Sequence, residues 1–157
     1  MVFTDRITNA DVVKRPSEYQ ELLTRVLTIQ ADAELGGPNV YAARWQLQAS
    51  TADAMYRVAR IVAEEVDHYR KFAALLGDLG PDARYPLHRD NAERMLEAFR
   101  GKDPLTWGDV AAVCALVDRA GRFQLEEFVN ASYLPWTRCC PASCRRKSAM
   151  CTLARSS

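Results

Sequence analysis

One stretch of the chain admits a single kind of local structure. After Ser50 or Thr51, either of which can cap a helix, apolar residues recur at Met55, Val58, Ala59, Val62, Val66, Tyr69, Phe72, Ala73 and Leu76. Nothing interrupts the pattern until Gly77 to Gly80-Pro81. Spacings of three and four mark one face of an α-helix, so this is a long amphipathic helix whose stripe needs other helices to cover it. Within it lies Glu65-x-x-His68. Glu65 falls in the apolar arc and His68 near its edge, beside Ile61 and Leu75. Glu64 and Asp67 point away, toward solvent. Residues three apart are neighbours on a helix face, so this carboxylate and imidazole can bind one metal ion. The spacing also arises by chance, and it gains weight only if another helix offers an inward carboxylate.

The helix before it offers one. Residues 1–15 are mixed polar and read as an arm. Pro16-Ser17 opens a helix, with Ser17 as N-cap and Gln20 at the capping-box spacing. Leu23, Leu27, Gln30 and Glu34 then follow one another at helical spacing, which sets Glu34 on or beside the apolar face. Gly36-Gly37-Pro38 is expected to break this helix. Asn39 to Ala49 reads as a short helical or irregular crossing anchored by Trp45. After a loop at 81–89, Asp90 is expected to cap a shorter helix with Met95, Leu96 and Phe99 inward, ended by Gly101. Thr106 and Asp109 form a capping-box spacing ahead of a third long helix. Its stripe is Val110, Val113, Cys114, Val117, Gly121, Leu125 and Phe128, flanked by Asp118, with Glu126 and Glu127 opposite. Pro135 is expected to end it. Long helices are therefore predicted near 17–35, 51–78 and 106–133. No segment alternates with period two, and the fold class is all-α.

Composition excludes several roles. With 157 residues, 48% hydrophobic and 26% charged, the chain can bury one core. A net charge of +1 gives no electrostatic case for nucleic acid or a membrane surface. No apolar run reaches the roughly 20 residues of a membrane span, and the N-terminus lacks the pattern of a signal peptide, so the expected compartment is the cytoplasm. Four of the five cysteines (Cys139, Cys140, Cys144 and Cys151) crowd the end of the chain, and Cys114 stands apart as a small core residue. The 139–157 segment has neither helical period nor an apolar face. It contains no C-x-x-C pair, which disfavours zinc. It reads as a non-native tail of the kind a frame shift in a GC-rich gene produces.

Several short texts together carry a resemblance: Ala33-Glu34-Leu35; Val62-Ala63-Glu64-Glu65-Val66-Asp67-His68; Leu79-Gly80; Leu105-Thr106-Trp107-Gly108-Asp109-Val110; Leu116-Val117-Asp118; and Ser132-Tyr133 with Pro135. Over roughly Tyr19 to Arg138 the chain resembles the oxygenase subunit of phenylacetyl-CoA 1,2-epoxidase, in the phenylacetic acid catabolic family of ferritin-like di-iron proteins. The resemblance implies a ferritin-like helical bundle over 16–138. It implies Glu34 as a ligand of one iron, Glu65 as a bridging carboxylate, His68 as an imidazole ligand and Asp118 as the carboxylate of the third ligand helix. It implies no catalytic residues beyond these ligands. The implied reaction uses dioxygen and electrons from a reductase to epoxidise the ring of an aryl-CoA, with a structural subunit as further partner. Ser132-Tyr133 with Pro135 looks like the family's turn into its last core helix. The family's fourth ligand helix carries a second Glu-x-x-His, and no such motif follows Asp118 here. The bundle is thus expected to be incomplete, with its last ligand helix missing.

Simpler readings stand beside this one. Glu34 at a helix end near Gly36 can stay wet, His68 can be an edge-of-core histidine, and Asp118 can pair with Arg122 at i+4. Trp107 and Trp136 read first as core packing. At the level of function, the monooxygenase subunit competes with a non-catalytic paralogue acting as a structural partner and with a simple iron-binding ferritin-like protein. A tail that cannot cover the stripe of 110–128 is expected to leave an apolar groove and to drive self-association.

Overall fold

The computed structural model describes residues 5–80, 83–88, 93–95 and 106–139, apart from the side chains at 39–40, 43–44, 110–111, 113–114 and 118. The described residues form helices and no strand beyond an isolated bridge, so the protein is all-α as its periodicity requires. None of these helices is long and apolar enough to cross a membrane. The chain divides into two compact units. One joins Met1–Gln20 to Gly108–Ser157, and the other is Glu21–Trp107.

In the first unit, the segment read as an arm contains a one-turn helix, α1 (Asn9–Val12). Its start is fixed by Asp11, whose carboxylate accepts from the Thr8 hydroxyl at 2.6 Å and the Thr8 amide at 3.1 Å. The hydroxyl, then the amide, hold the Asp11 carboxyl below its ordinary pKa. Ile7 is buried and forms a parallel bridge with Tyr133. The Ile7 amide donates to Ser132 O, the Leu134 amide donates to Ile7 O, and the Tyr133 hydroxyl donates to Asn9 Oδ1 at 2.6 Å. The third long helix of the chain, Trp107–Phe128, begins directly after Thr106 as expected and has Asp109 in its first turn. It ends before Pro135. Tyr133 makes the bridge to Ile7, and Pro135 lies inside a new helical segment over 134–139. Pro does not stop a helix in its first turn, where no N–H is needed. Leu125 is buried, Val117 and Phe128 are half-buried, and Trp136 packs on Phe128 at 4.1 Å between ring centres. The stripe is therefore covered at Leu125, and the large exposed apolar side chains of this helix, Leu116 and Phe123, lie on its other side. The side chains at 110, 113 and 114, which make up the first part of the expected groove, lie outside the described residues. The tail beyond Cys139 lies outside the described residues.

In the second unit, α2 (Ser17–Val40) runs on from the first. Pro16 O, rather than the Ser17 hydroxyl, takes its leading amides, and Gln20 reaches back to Arg15 O at 2.8 Å. The expected capping box is thus not formed. Nor do Gly36-Gly37-Pro38 break the helix. It continues to Val40, widens into a π-helical turn at Tyr41–Trp45, and ends in the short α3 (Gln46–Gln48). Proline brings no N–H to the ladder, and the irregularity that follows is a single π turn, the form in which π-helix occurs inside α-helices. Helix α4 (Ala52–Leu79) starts on Thr51, whose hydroxyl accepts from the Ala54 amide at 3.1 Å. It stops at Gly80, whose φ of 130° suits glycine alone. The third long helix is α5. Of the helix expected from Asp90 to Gly101, most lies outside the described residues, and Glu93–Met95 are not α-helical.

The buried face of α4 is Val58, Glu65, His68, Tyr69, Phe72, Leu75 and Leu76. Val66 and Met55, expected inside, are 37% and 41% exposed. At roughly 100° per residue the true face is rotated by most of a quarter turn toward His68. Glu64 and Asp67 are half-buried and pair along the helix with Arg60 and Lys71. The π turn and α3 pack on α4, with Trp45 buried beside Tyr41 at 4.3 Å between ring centres.

Gly37 is required by that packing. A Cβ placed there would lie 2.8 Å from Cε2 of the buried Tyr41 ring. Gly37→Ala should therefore lower stability by about 1 kcal/mol, overpacking outweighing the gain in helix propensity. A thermal melt several degrees below the parent chain is the expected result. An unchanged or raised melting temperature would refute this role of Gly37.

Candidate metal centre

Three of the four residues singled out in the sequence come together. Glu34 on α2 and Glu65 and His68 on α4 each offer one ligand atom, and these atoms lie within 4.8 Å of one another. All three are buried, with His68 fully enclosed. His68 Nδ1 is 3.1 Å from Glu34 Oε2. The continuation of α2 through Gly36-Gly37-Pro38 decides the fate of Glu34. Residues 34–38 are all buried, so Glu34 sits inside a helix with no frayed end to keep it wet. The rotation of α4 decides that of His68, which lies well within the buried arc. Asp118 belongs to α5, and its side chain lies outside the described residues. Nearby on that helix, Arg122 Nε pairs with Glu126 at 2.8 Å. His88, the other histidine, is exposed in a connection.

The chemistry of this group points to a cation. Two carboxylates held this close in an interior repel each other and lose their hydration, which is costly unless a proton or a positive ion compensates. Atoms bound to one ion at about 2 Å must themselves lie about 3–4 Å apart, and the candidate ligand atoms here lie within 4.8 Å of one another. Hard carboxylate oxygens with an imidazole suit iron, manganese or zinc. The imidazole supplies a second argument. Among the described residues the buried His68 Nε2 has no hydrogen-bond partner, while Nδ1 faces a carboxylate oxygen. A neutral imidazole has one donor and one acceptor nitrogen, so among the described residues Nε2 goes unsatisfied in either tautomer. A metal ion on the ring removes that deficit. The residues fit the group.

A second buried network lies in the same unit, and the sequence did not reveal it. Asp32 and Arg94 are enclosed, with Arg94 Nη1 3.3 Å from Asp32 Oδ1. The Tyr85 hydroxyl donates to the same Oδ1, and the Met95 amide donates to Oδ2 at 2.7 Å. The Tyr69 hydroxyl donates to Tyr85 O at 3.1 Å, and burial pushes its pKa above the ordinary tyrosine value, which keeps it a donor. Asp32 stands two residues before Glu34 and so on nearly the opposite side of α2. A periodic reading assigns that side to solvent. The available signal was the density of small residues: Ala31, Ala33, Gly36 and Gly37 allow close approach from several directions.

No family model matches the chain, and no curated protein matches it either.

Removing one member of the Asp32–Arg94 pair leaves the other charge buried. Arg94→Met should cost about 3–5 kcal/mol, read as a lowered urea midpoint, and the double variant Asp32→Asn/Arg94→Met should recover part of the loss. Additive effects of the two substitutions would show that the two charges do not depend on each other.

Proposed function

We propose that this protein is a metal-binding subunit of a multicomponent, di-iron-type monooxygenase acting on an aryl-CoA, in a ferritin-like helical fold, and that the present chain holds a single divalent ion, iron. The observation that carries the reading is the buried meeting of Glu34, Glu65 and His68. These are three of the four positions that the resemblance assigned to metal, and they reach one another from two helices far apart in sequence.

Glu65 and His68 are offered by consecutive turns of α4 and are held rigidly by the packing of Phe72, Leu75 and Leu76 on the same face. Glu34 closes the group from α2. Burial keeps bulk water from the three side chains and so strengthens their hold on a cation. In the metal-free chain His68 Nδ1 lies 3.1 Å from Glu34 Oε2, and an ion bound at Nε2 would leave that contact in place. Iron, when bound, would supply the activation of dioxygen. Partners in this reading are an aryl-CoA, a reductase and a structural subunit. The absence of a second Glu-x-x-His after Asp118 favours one ion over two. It also supports a second reading, an iron-binding ferritin-like protein without oxygenase turnover.

Anaerobic loading with Fe(II) tests both. One iron per chain is expected, lost in Glu65→Ala and in His68→Ala, with no consumption of phenylacetyl-CoA by the isolated chain when a reductase is supplied. Two irons per chain with turnover would overturn the single-ion reading. No iron at all would overturn the metal centre.

A further inference from the structure

The buried pair Asp32–Arg94 belongs to a hydrogen-bonded chain that reaches both helices of the metal centre. Asp32 stands two residues before Glu34 on α2, and Tyr69 follows His68 directly on α4. Tyr85, in the non-helical connection after α4, joins them. Its hydroxyl donates to Asp32 Oδ1, and its carbonyl accepts from the Tyr69 hydroxyl at 3.1 Å. One residue thus holds α2 with its side chain and α4 with its backbone. Arg94 Nη1 donates to the same Asp32 oxygen at 3.3 Å, and the Met95 amide donates to Oδ2 at 2.7 Å. Asp32, Tyr69, Tyr85 and Arg94 are all buried. In such surroundings a hydrogen bond is strong and an unmade one is costly. The contact between Glu34 and His68 spans the same two helices.

We infer that Tyr85 is a positioning residue of the metal centre: it clamps α2 to α4 beside the ligands and so sets the spacing at which Glu34 meets Glu65 and His68. The inference rests on the metal reading above and adds to it the part of the chain that fixes the geometry of the site. Glu65 and His68 share one helix, so their mutual placement is local. Glu34 comes from another helix, and a small slide or rotation of α2 against α4 carries its carboxylate away from the imidazole. Ligands must be held within about 0.5 Å of the binding geometry. The clamp resists such a slide at Asp32 and Tyr69, each within two residues of a ligand. Its two hydrogen bonds meet on Tyr85 and act in series, so losing either one opens it.

The test uses the full chain and Co(II), whose binding is followed by its visible absorption. Tyr85→Phe removes one hydroxyl of the clamp, Tyr69→Phe the other, and both keep the ring. Each should weaken Co(II) about ten-fold. The double variant should bind as each single one does, because links in series are not lost twice. Val58→Ala, two turns before Glu65 on the same buried face, lowers stability without touching the clamp and should keep the affinity of the parent. Linkage requires that the ion tighten the clamp as much as the clamp favours the ion. The Met95 amide should therefore exchange its hydrogen several-fold more slowly in the Co(II)-loaded parent than in the metal-free one, and this arm decides the matter should the tyrosine variants fail to fold. Folded tyrosine variants that bind Co(II) like the parent, single effects that multiply in the double variant, a Val58→Ala chain weakened as much as they are, or a Met95 amide indifferent to Co(II) would overturn the inference and leave the metal centre standing. Failure of the parent chain to take up Co(II) would overturn the metal reading, and this inference with it.

Discussion

Two carboxylates of α2, Asp32 and Glu34, are buried on nearly opposite sides of one helix, and the cost of keeping them there governs the Glu21–Trp107 unit. An ionised group in an interior must be matched by opposite charge and by hydrogen bonds. Each carboxylate meets that demand with different chemistry. Asp32 is matched within the protein, by Arg94, the Tyr85 hydroxyl and the Met95 amide. Glu34 is set against Glu65 and His68, a group in which the protein supplies two acids and one imidazole. The first arrangement is closed on itself. The second brings two acids and one imidazole together, a donor set that suits a cation, and that makes it the candidate centre.

Burying both sides of α2 requires small residues and close packing on several faces. Gly36 and Gly37 serve that end, and Gly37 admits the Tyr41 ring where any side chain would collide. Their cost in helix propensity is offset by the contacts they permit. Pro38 follows directly, and the helix answers its missing amide with the π turn at Tyr41–Trp45. That turn is also the part that rests on α4, with Trp45 and Tyr41 buried together. The irregularity and the packing against α4, the helix that carries Glu65 and His68, are thus one feature of the chain.

The first unit depends on a different economy. Ile7 takes up the backbone of 132–134 through a two-sided bridge, and Tyr133 returns a hydrogen bond to Asn9. The N-terminal segment is therefore held by backbone groups that carry no periodic signature in sequence. This is why a polar, unpatterned stretch reads as an arm until the residues it pairs with are known.

The sequence by itself determined the fold class, the start of each long helix to within a residue or so, the stop at Gly80 and the inward stripe Leu23, Leu27, Gln30 and Glu34, because these follow from local spacing, caps and glycine conformation. It also identified Glu34, Glu65 and His68 as a group, though through a resemblance as much as through spacing. Tertiary structure alone decided the rest. Periodicity gives a face only to within about one residue, so packing had to choose between Val66 and Leu75 on α4 and thereby enclosed His68. Local rules end a helix at Gly-Gly-Pro, but burial of Tyr41 and Trp45 makes continuation cheaper. Asp32 owes its burial to Arg94 and Tyr85, more than fifty residues away. A contact of that range stabilises a side chain without leaving any pattern around it in the sequence, and for that reason only the folded chain could reveal it.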